Sequence, residues 1–570
     1  MISRSPSSNA VSPNSSGRGD APSYAGGVTT IDVSAVPRVA LELAEKLGRT
    51  GRSLFLVGGS VRGLVKDALS GDLDFATDAS PEEVLETVSG WAEGTWTVGI
   101  EFGTVGLMKE GHRLEITTFR GDRYNPASRH PKVSRVSTIE DDLARRDFTI
   151  NAMAVKLPEG FFVDPFDGSG DLDGGRLRTP LSPEESLSDD PLRMLRAARF
   201  VAQLGVTPAP ELVDAMREQH ERLKIVSGER VRDELIKIIA APHPSEGLDL
   251  AVETELAEEF LPELPALRLE QDPIHRHKDV YRHSLAVMEN LMAAVIDGEP
   301  DVDLRLAGLL HDIGKPATRR FGPDGVSFHH HEVVGARMAE QRMRELHFPS
   351  EKVRDVSSLI ELHLRFHSYR PDWGDMVMRV VSEHGVPEDA AREIGRIVAR
   401  AELEYRNAPA LVEDVASRLA KAGYDDATAA TVRDAMALRQ KLFGAKPGWK
   451  DSAVRRYVRD AGPLLPRLNA LVLADCTTRN ENKAKRLRLA MALFEARIRR
   501  LAEEENIKQM RPALNGDEVM THLGVPPGPV VGAALRYLME VRLDRGEIPK
   551  DEARELLTAW ATEQAPAERV

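Results

Sequence analysis

Cysteine is almost missing from this chain: Cys476 is the single one in 570 residues. A lone thiol excludes a disulfide framework and points to a reducing compartment. No apolar run reaches the length of a membrane span, and the N-terminus lacks the charged-then-apolar layout of a secretory signal. The expectation is a cytoplasmic protein with no membrane association. Net positive charge is also lacking, at −14 overall, so a polyanion would have to bind at a local basic patch. No regular repeat runs along the chain, which argues against a solenoid.

What is present divides unevenly. Residues 1–30 are rich in Ser, Pro and Gly and read as a disordered segment. From 31 to about 180, strand and helix patterns alternate: SLFLV (53–57), DLDFAT (72–77), TVGLM (104–108) and RLEITTF (113–119) read as strands, with helices at 60–69 and 81–90. After 185, amphipathic helices dominate, with breaks near 241–244, 297–301 and 447–452. The fold class is α+β, a mixed-sheet head followed by all-α regions.

Chemistry-bearing residues cluster in the head. LFLVGGSVRG (54–63) is a strand, a Gly-Gly turn and a helix start, with Arg62 nearby, a layout that suits a phosphate chain. In GDLDFAT, Asp72 and Asp74 stand two apart on a strand and so share a face, where a hard divalent ion such as Mg²⁺ would offset their repulsion. Glu115, on a neighbouring predicted strand, is a candidate third carboxylate. The polar loop 121–137 carries Arg123, Arg129, Lys132 and Arg135, as a lid over phosphates or a solvated basic loop would. It leads into TIEDDLARRDFTINAMAV (138–155), which places acids in a first helical turn and Arg145 and Arg146 near the helix end.

SDDPLRMLRAARF (188–200) adds a helix whose start is marked by Asp189, Asp190 and Pro191. Leu192, Leu195, Ala198 and Val201 form its apolar stripe, and Arg193, Arg196 and Arg199 form a row beside it. Taken alone, such a row reads as a solvated charged face.

GGSVR, DLDFAT, RRDFTINAMA, DPFDGSGDL and DDPLRMLRAARF, in this order, resemble the bacterial tRNA nucleotidyltransferases that add CCA to tRNA 3′ ends, within the poly(A) polymerase/tRNA nucleotidyltransferase family, class II. The resemblance runs, with gaps, from about residue 38 to 548. It implies that Asp72 and Asp74 hold Mg²⁺, that Gly59, Arg62 and Arg146 contact the nucleotide's phosphates or ribose, and that Asp190, Arg193, Arg196 and Arg199 bind the incoming CTP or ATP. Two positions depart from the family pattern: Gly63 stands where an aspartate is usual after GGxVR, and Asp189 replaces a common glutamate.

The residue types on that helix suit the implied task. Cytosine and adenine both present an amino donor beside an unprotonated ring nitrogen, whereas uracil and guanine present a carbonyl beside a ring N–H. A carboxylate only accepts and a guanidinium only donates, so Asp190 with Arg193 matches C and A and opposes U and G.

A second ordered set comprises HRHKDVYRHSL (275–285), LAGLLHDIGK (306–315), FHHHEVVGA (328–336), ELHLRFH (361–367) and VLADCTTRN (472–480). It resembles the HD-domain metal phosphohydrolases. By that resemblance His283, His311, Asp312 and Asp475 are metal ligands, with His331 and His363 as candidates for a second ion. Imidazole with carboxylate suits Mn, Ni, Fe or Mg.

From Asp475 to Arg500 eight Lys or Arg stand against three acids, a candidate phosphate track with Leu487, Met491, Phe494 and Ile498 as its buried stripe. Residues 514–548 resemble the family's C-terminal tail, which implies contact with the folded half of tRNA, through the shape of its acceptor arm.

The expected organisation is a head at 31–180, a helical neck at 181–270, an HD domain at 271–373 and 448–505 around a helical insertion at 374–447, and a tRNA-binding tail at 506–570. The expected reaction is template-independent addition of C, C and A to tRNA from CTP and ATP, with no obligate protein partner. The alternatives are a bacterial poly(A) polymerase, an enzyme adding only CC or only A, and an HD phosphohydrolase whose N-terminal half only binds tRNA.

Overall fold

The computed structural model describes residues 29–66, 69, 73–123, 132–269, 279–322, 325–404, 408–478, 480–505 and 511–564. Asp72, Arg129 and residues 275–278 lie outside these, as does nearly all of the segment 1–30. The chain forms two compact units, Met1–Ile225 and Val226–Val570. The break falls inside the 181–270 stretch that reads as one neck in sequence.

The first unit is built on a seven-stranded mixed sheet in the order β3-β4-β5-β2-β1-β8-β9. Its strands are Leu54–Val57 (β1), Leu73–Thr77 (β2), Gly94–Trp96 (β3), Thr104–Lys109 (β4), His112–Thr118 (β5), Ala154–Leu157 (β8) and Phe161–Val163 (β9). Arg120–Arg123 (β6) and Lys132–Arg135 (β7) pair separately as a hairpin at the base of the basic loop. Within the sheet β2 and β5 run parallel, and the other described pairs are antiparallel. LFLV is buried throughout, as a central strand covered on both faces must be. On β5 burial alternates: Leu114 and Ile116 enter the core, while Glu115 and Thr117 lie on the more open face.

Helices Arg38–Arg49 (α1), Gly59–Val65 (α2), Pro81–Val88 (α3), Ile139–Ala144 (α4) and Gly168–Asp173 (α5) surround the sheet, and Pro183–Asp189 (α6), Leu192–Leu204 (α7) and Pro210–Gln219 (α8) follow it. α3 shows its start in sequence, since Ser80 and Glu83 form a reciprocal capping box before Pro81. Asp189 closes α6 rather than opening α7, and the Asp190 carboxylate accepts from the Leu192 N–H at 3.1 Å. The apolar stripe of α7 is buried as its spacing requires: Leu192, Leu195, Ala198 and Val201 are all in the core.

The second unit is helical. It opens with Gly228–Ala240 (α9) and Pro244–Glu253 (α10), followed by Val280–Asn290 (α11), Val302–Leu310 (α12), Lys315–Thr318 (α13), His331–Glu345 (α14) and Ser350–Leu362 (α15). Trp373–Glu383 (α16), Glu388–Glu404 (α17), Ala408–Lys421 (α18) and Asp426–Phe443 (α19) come next, then Asp451–Ala461 (α20), Leu465–Ala474 (α21), Glu481–Glu505 (α22), Gly516–Leu523 (α23), Pro529–Arg545 (α24) and Lys550–Gln564 (α25). Its strands are two short hairpins, Val295–Ile296 with Glu299–Pro300 and Arg320–Gly322 with Gly325–Ser327.

The insertion has its own core. Trp373, Val377, Ile394, Val398, Leu411, Val415 and Val432 pack together across α16–α19. Its two ends are pinned to each other: the buried Arg439 guanidinium lies 4.6 Å over Trp373 and donates at 2.9 Å to the carbonyls of both Pro371 and Lys446. Glu402 accepts the backbone N–H groups of Trp373 and Gly448 at 3.2 and 3.1 Å.

The basic helix α22 differs from its sequence reading. Met491 and Phe494 are buried, but Leu487 and Ile498 are only partly covered, and Arg497 is buried deeper than either. Arg497 pairs with Asp372 and Asp451 at 3.1 and 2.7 Å, and Arg500 pairs with Asp375 at 3.0 Å. Two of the eight cations therefore hold the insertion in place and cannot serve a phosphate track.

Candidate nucleotide and metal sites

The Gly-Gly turn joins β1 to α2. Gly58 has a φ of 65°, and a Cβ on it would stand 3.2 Å from Nη1 of Arg146. Glycine thus allows the left-handed turn and the close approach of a guanidinium. Gly59 begins α2, and Ser60 accepts the Asp74 backbone N–H at 3.2 Å, which fixes α2 against β2. Asp74 is exposed on the open face and stands in register with Glu115 across the parallel pair. Two carboxylates on adjacent strands and one face are hard oxygen donors of the type Mg²⁺ takes. Arg113 donates to Glu115 at 2.7 Å. The same row continues across the sheet, since Glu115 faces Gly106 and Gly106 faces Trp96, whose indole covers the glycine.

A chain of polar contacts then runs from α2 to α7. Arg62 donates to Asn151, Asn151 donates to Asp147 at 3.0 Å, and Arg196 donates through Nε to Asp147 at 2.9 Å. Burial alone would raise the Asp147 carboxyl, but Arg196 and Asn151 overcome it and hold the group down at about 2. Phe200 is the hub of the cluster, with the guanidiniums of Arg62, Arg196 and Arg199 at 5.3, 5.8 and 4.6 Å from its ring centre. Arg146 is paired at 3.1 Å with Asp142, a fully buried carboxylate that also holds Arg145 at 2.6 Å.

The arginine row on α7 is not a solvated face. Arg193 and Arg199 are each 8% exposed, and Arg196 is half-buried. Arg193 donates to Ser186 Oγ at 2.8 Å and to the carbonyls of Ser186 and Arg145. Three of its N–H groups are used in fixing it to α6 and to the RRD stretch. Asp147, Asn151, Ser186 and Phe200 carry no charge pattern or spacing that marks them in sequence. RRDFTIN holds the first two, and only the fold shows that they orient the arginines.

The second unit brings the HD residues together. His283, His311 and Asp475 place donor atoms within 4.8 Å of one another, and so do His311, Asp312 and His363. His283 Nε2 is 2.9 Å from Asp475, and Asp312 lies 3.2 Å from both His311 and His331 through its two oxygens. The tautomers are set by the backbone: Nδ1 of His311, His331 and His363 lies 2.8, 2.8 and 2.6 Å from the carbonyls of Gly308, Phe328 and Ile360. A carbonyl only accepts, so each Nδ1 carries the proton and each Nε2 presents a lone pair. Those three Nε2 atoms are buried without a hydrogen-bond partner. Orphaned, convergent imidazole nitrogens beside two buried carboxylates fit a divalent transition metal. Burial holds His363 neutral, down at about 3, as a ligand must be.

His363 groups with His311 and Asp312, so the geometry does not set His331 and His363 apart as the holders of a separate ion. Two members were missed in sequence. His367 stands 3.4 Å from Asp475, and Lys315 donates to Asp312 at 2.6 Å. Both lie inside the quoted motifs, ELHLRFH and HDIGK, where a third histidine and a trailing lysine were the available signals.

Comparison with known families agrees with this layout. Residues 54–178 match the Poly A polymerase head domain, 205–267 the probable RNA and SrmB-binding site of polymerase A, and 280–409 the HD domain. A CCA-adding enzyme of Lactobacillus gasseri is 39% identical over 221 residues, covering 39% of this chain and 54% of that protein. The chain therefore spans about half the length of the first such relatives. An A-adding tRNA nucleotidyltransferase of Deinococcus radiodurans is 31% identical over 530 residues, covering 89% of this chain and 95% of that protein. A solved CCA-adding enzyme in complex with ATP superposes with a TM-score of 0.51 at 19% identity, over 93% of this chain and 96% of the other, a likeness of fold. No described helix is long and apolar enough to cross a membrane. With a near full-length relative, a matching head and an HD domain in the expected order, the chain belongs to the tRNA nucleotidyltransferase and poly(A) polymerase family.

Proposed function

We propose that the protein adds C, C and A to the 3′ end of tRNA, using CTP and ATP and releasing pyrophosphate. The observation that carries this reading is the polar chain from Asp74 through Ser60 and Arg62 to Asn151, Asp147 and Arg196, which ties the carboxylate strand to the arginine helix. The tRNA 3′ oxygen attacks the α-phosphorus and the bond to pyrophosphate breaks. Mg²⁺ held by Asp72, Asp74 and Glu115 supplies the acidity of the 3′ hydroxyl and offsets charge on the leaving group. Gly59, Arg62 and Arg146 face the phosphates and ribose. Asp190 accepts from the amino group that C and A share, and Arg193 donates to the neighbouring ring nitrogen with the N–H groups not engaged by Ser186 and Arg145. Arg196 and Arg199, stacked about Phe200, hold the base's flank or phosphate. The tRNA acceptor arm is bound by shape through the tail and the basic helix, in the cytoplasm.

The test is a tRNA ending at its discriminator base, supplied with labelled CTP alone. Extension by two residues is expected, and ATP then adds one more. Absence of CTP incorporation, with ATP added only to tRNA already ending in CC, would replace this reading by an A-adding one. That second reading is favoured by the Deinococcus radiodurans relative, which matches 89% of the chain.

The HD centre adds, in this proposal, a phosphohydrolase function that uses Mn, Ni, Fe or Mg held by His283, His311, Asp312, His363 and Asp475, with His331 beside them. The orphaned Nε2 atoms support it.

A further inference from the structure

The helical insertion has no part in either reaction so far, yet its last helix ends at the HD centre. A cavity of about 730 Å³ is lined by His283, His367 and Asp475 of that centre, by Gln440–Gly444 at the end of α19, and by the start of α22. That volume lies within the roughly 300–1,000 Å³ of small-molecule sites.

The charge of this wall is one-sided. Lys315, Arg370, Lys441, Lys483 and Arg486 line the cavity, and Asp475 is the one acidic residue among its described lining. This is a local concentration of cations in a protein of net charge −14. The C-terminal end of a helix ordinarily presents partial negative charge, but here arginines cover it. Arg486 donates to the Leu442 carbonyl at 3.4 Å, and Arg439 donates to that of Gly444. The Arg439 and Glu402 contacts that close the insertion on itself also fix where α19 ends, so Lys441 and Phe443 are held at the cavity by a folded module.

We propose that the insertion supplies the substrate-recognition wall of the HD centre, and that this pocket binds a nucleoside monophosphate or phosphate ester of that size. Lys441 from the insertion, with Lys483 and Arg486 from the basic helix, holds the phosphate charge, and Phe443 with Phe328 offers apolar surface to the base. The proposal rests on the reading of the HD centre as a metal site. It assigns the cations at the start of α22 to a small ligand and not to an RNA backbone.

The test uses the full-length protein loaded with Mn²⁺, with AMP as the probe and calorimetry as the readout. His311→Ala defines which component of AMP binding belongs to the HD centre, since the head also has a nucleotide site. Lys441→Ala and Lys483→Ala are expected to weaken that component by about 10- to 100-fold each, as loss of a charged hydrogen-bond partner does, with retained Mn²⁺ unchanged by elemental analysis. Lys441→Glu is expected to weaken it further. An unchanged affinity in the double alanine variant would overturn the proposal and leave the metal reading intact, as would metal retention with no His311-dependent AMP binding. Failure to retain any divalent metal would overturn both. Competition of the His311-dependent component by tRNA but not by inorganic phosphate would assign the wall to RNA and also overturn the proposal.

Discussion

Asp74 on β2 and Glu115 on β5 face each other across the parallel pair of the head's sheet, in register and on the same open face. Neither is buried, so neither depends on the other for folding. Glu115→Gln should therefore leave thermal stability nearly unchanged and lower nucleotide incorporation by about 10- to 100-fold, while Asp74→Ala should abolish it. Steady-state incorporation of labelled ATP and CTP, with melting curves alongside, separates the two effects.

Asp190→Asn isolates base reading from helix capping. The asparagine keeps an oxygen for the Leu192 N–H but replaces a pure acceptor by a group that also donates. Discrimination against UTP and GTP should fall, with correct-nucleotide kcat/KM down about 10²-fold. Single-nucleotide incorporation kinetics with all four triphosphates gives the answer. Unchanged selectivity would remove Asp190 from the base site.

Asp147→Asn tests the clamp behind the arginines. The wild-type carboxyl is depressed from 3.8 to about 2, largely through Arg196 and Asn151 against the cost of burial. That difference corresponds to about 2 kcal/mol of stability. A depressed acid contributes fully above its unfolded value, near pH 4, and the contribution is lost as pH falls toward 2. The gap in Tm between wild type and variant should be steady above about pH 5 and shrink below 4. Activity should also drop in the variant, because Arg196 loses its anchor.

Metal should stabilise the second unit. A divalent ion at 100 times its Kd adds about 2.7 kcal/mol to a folded state that alone binds it. Differential scanning calorimetry with Mn²⁺ should show an upward shift in Tm that EDTA reverses, and His311→Ala or Asp312→Ala should remove the shift.

Much of both sites could be read from sequence because their chemistry is local. A Gly-Gly turn, an Asp-x-Asp strand and a His-Asp pair after an apolar helix each occupy a few consecutive residues, where spacing alone fixes which side chains share a face. The α7 arginines show where that logic stops. Periodicity placed them correctly on one side of the helix, but it could not say that Arg193 would be buried against Ser186 and Arg145, or that Arg497 would be drawn inward by acids of a different helix. Burial of a charge depends on a partner brought from far along the chain.

From its residues alone this chain settles its strand and helix pattern, its paired carboxylates and its set of HD histidines, because backbone periodicity and motif spacing act over a few residues. Tertiary structure decided that Glu115 stands beside Asp74, that Asp147 and Phe200 organise four arginines, and that Lys441 of the insertion reaches the HD cavity. Those facts come from register and packing between distant segments, and no local pattern encodes them.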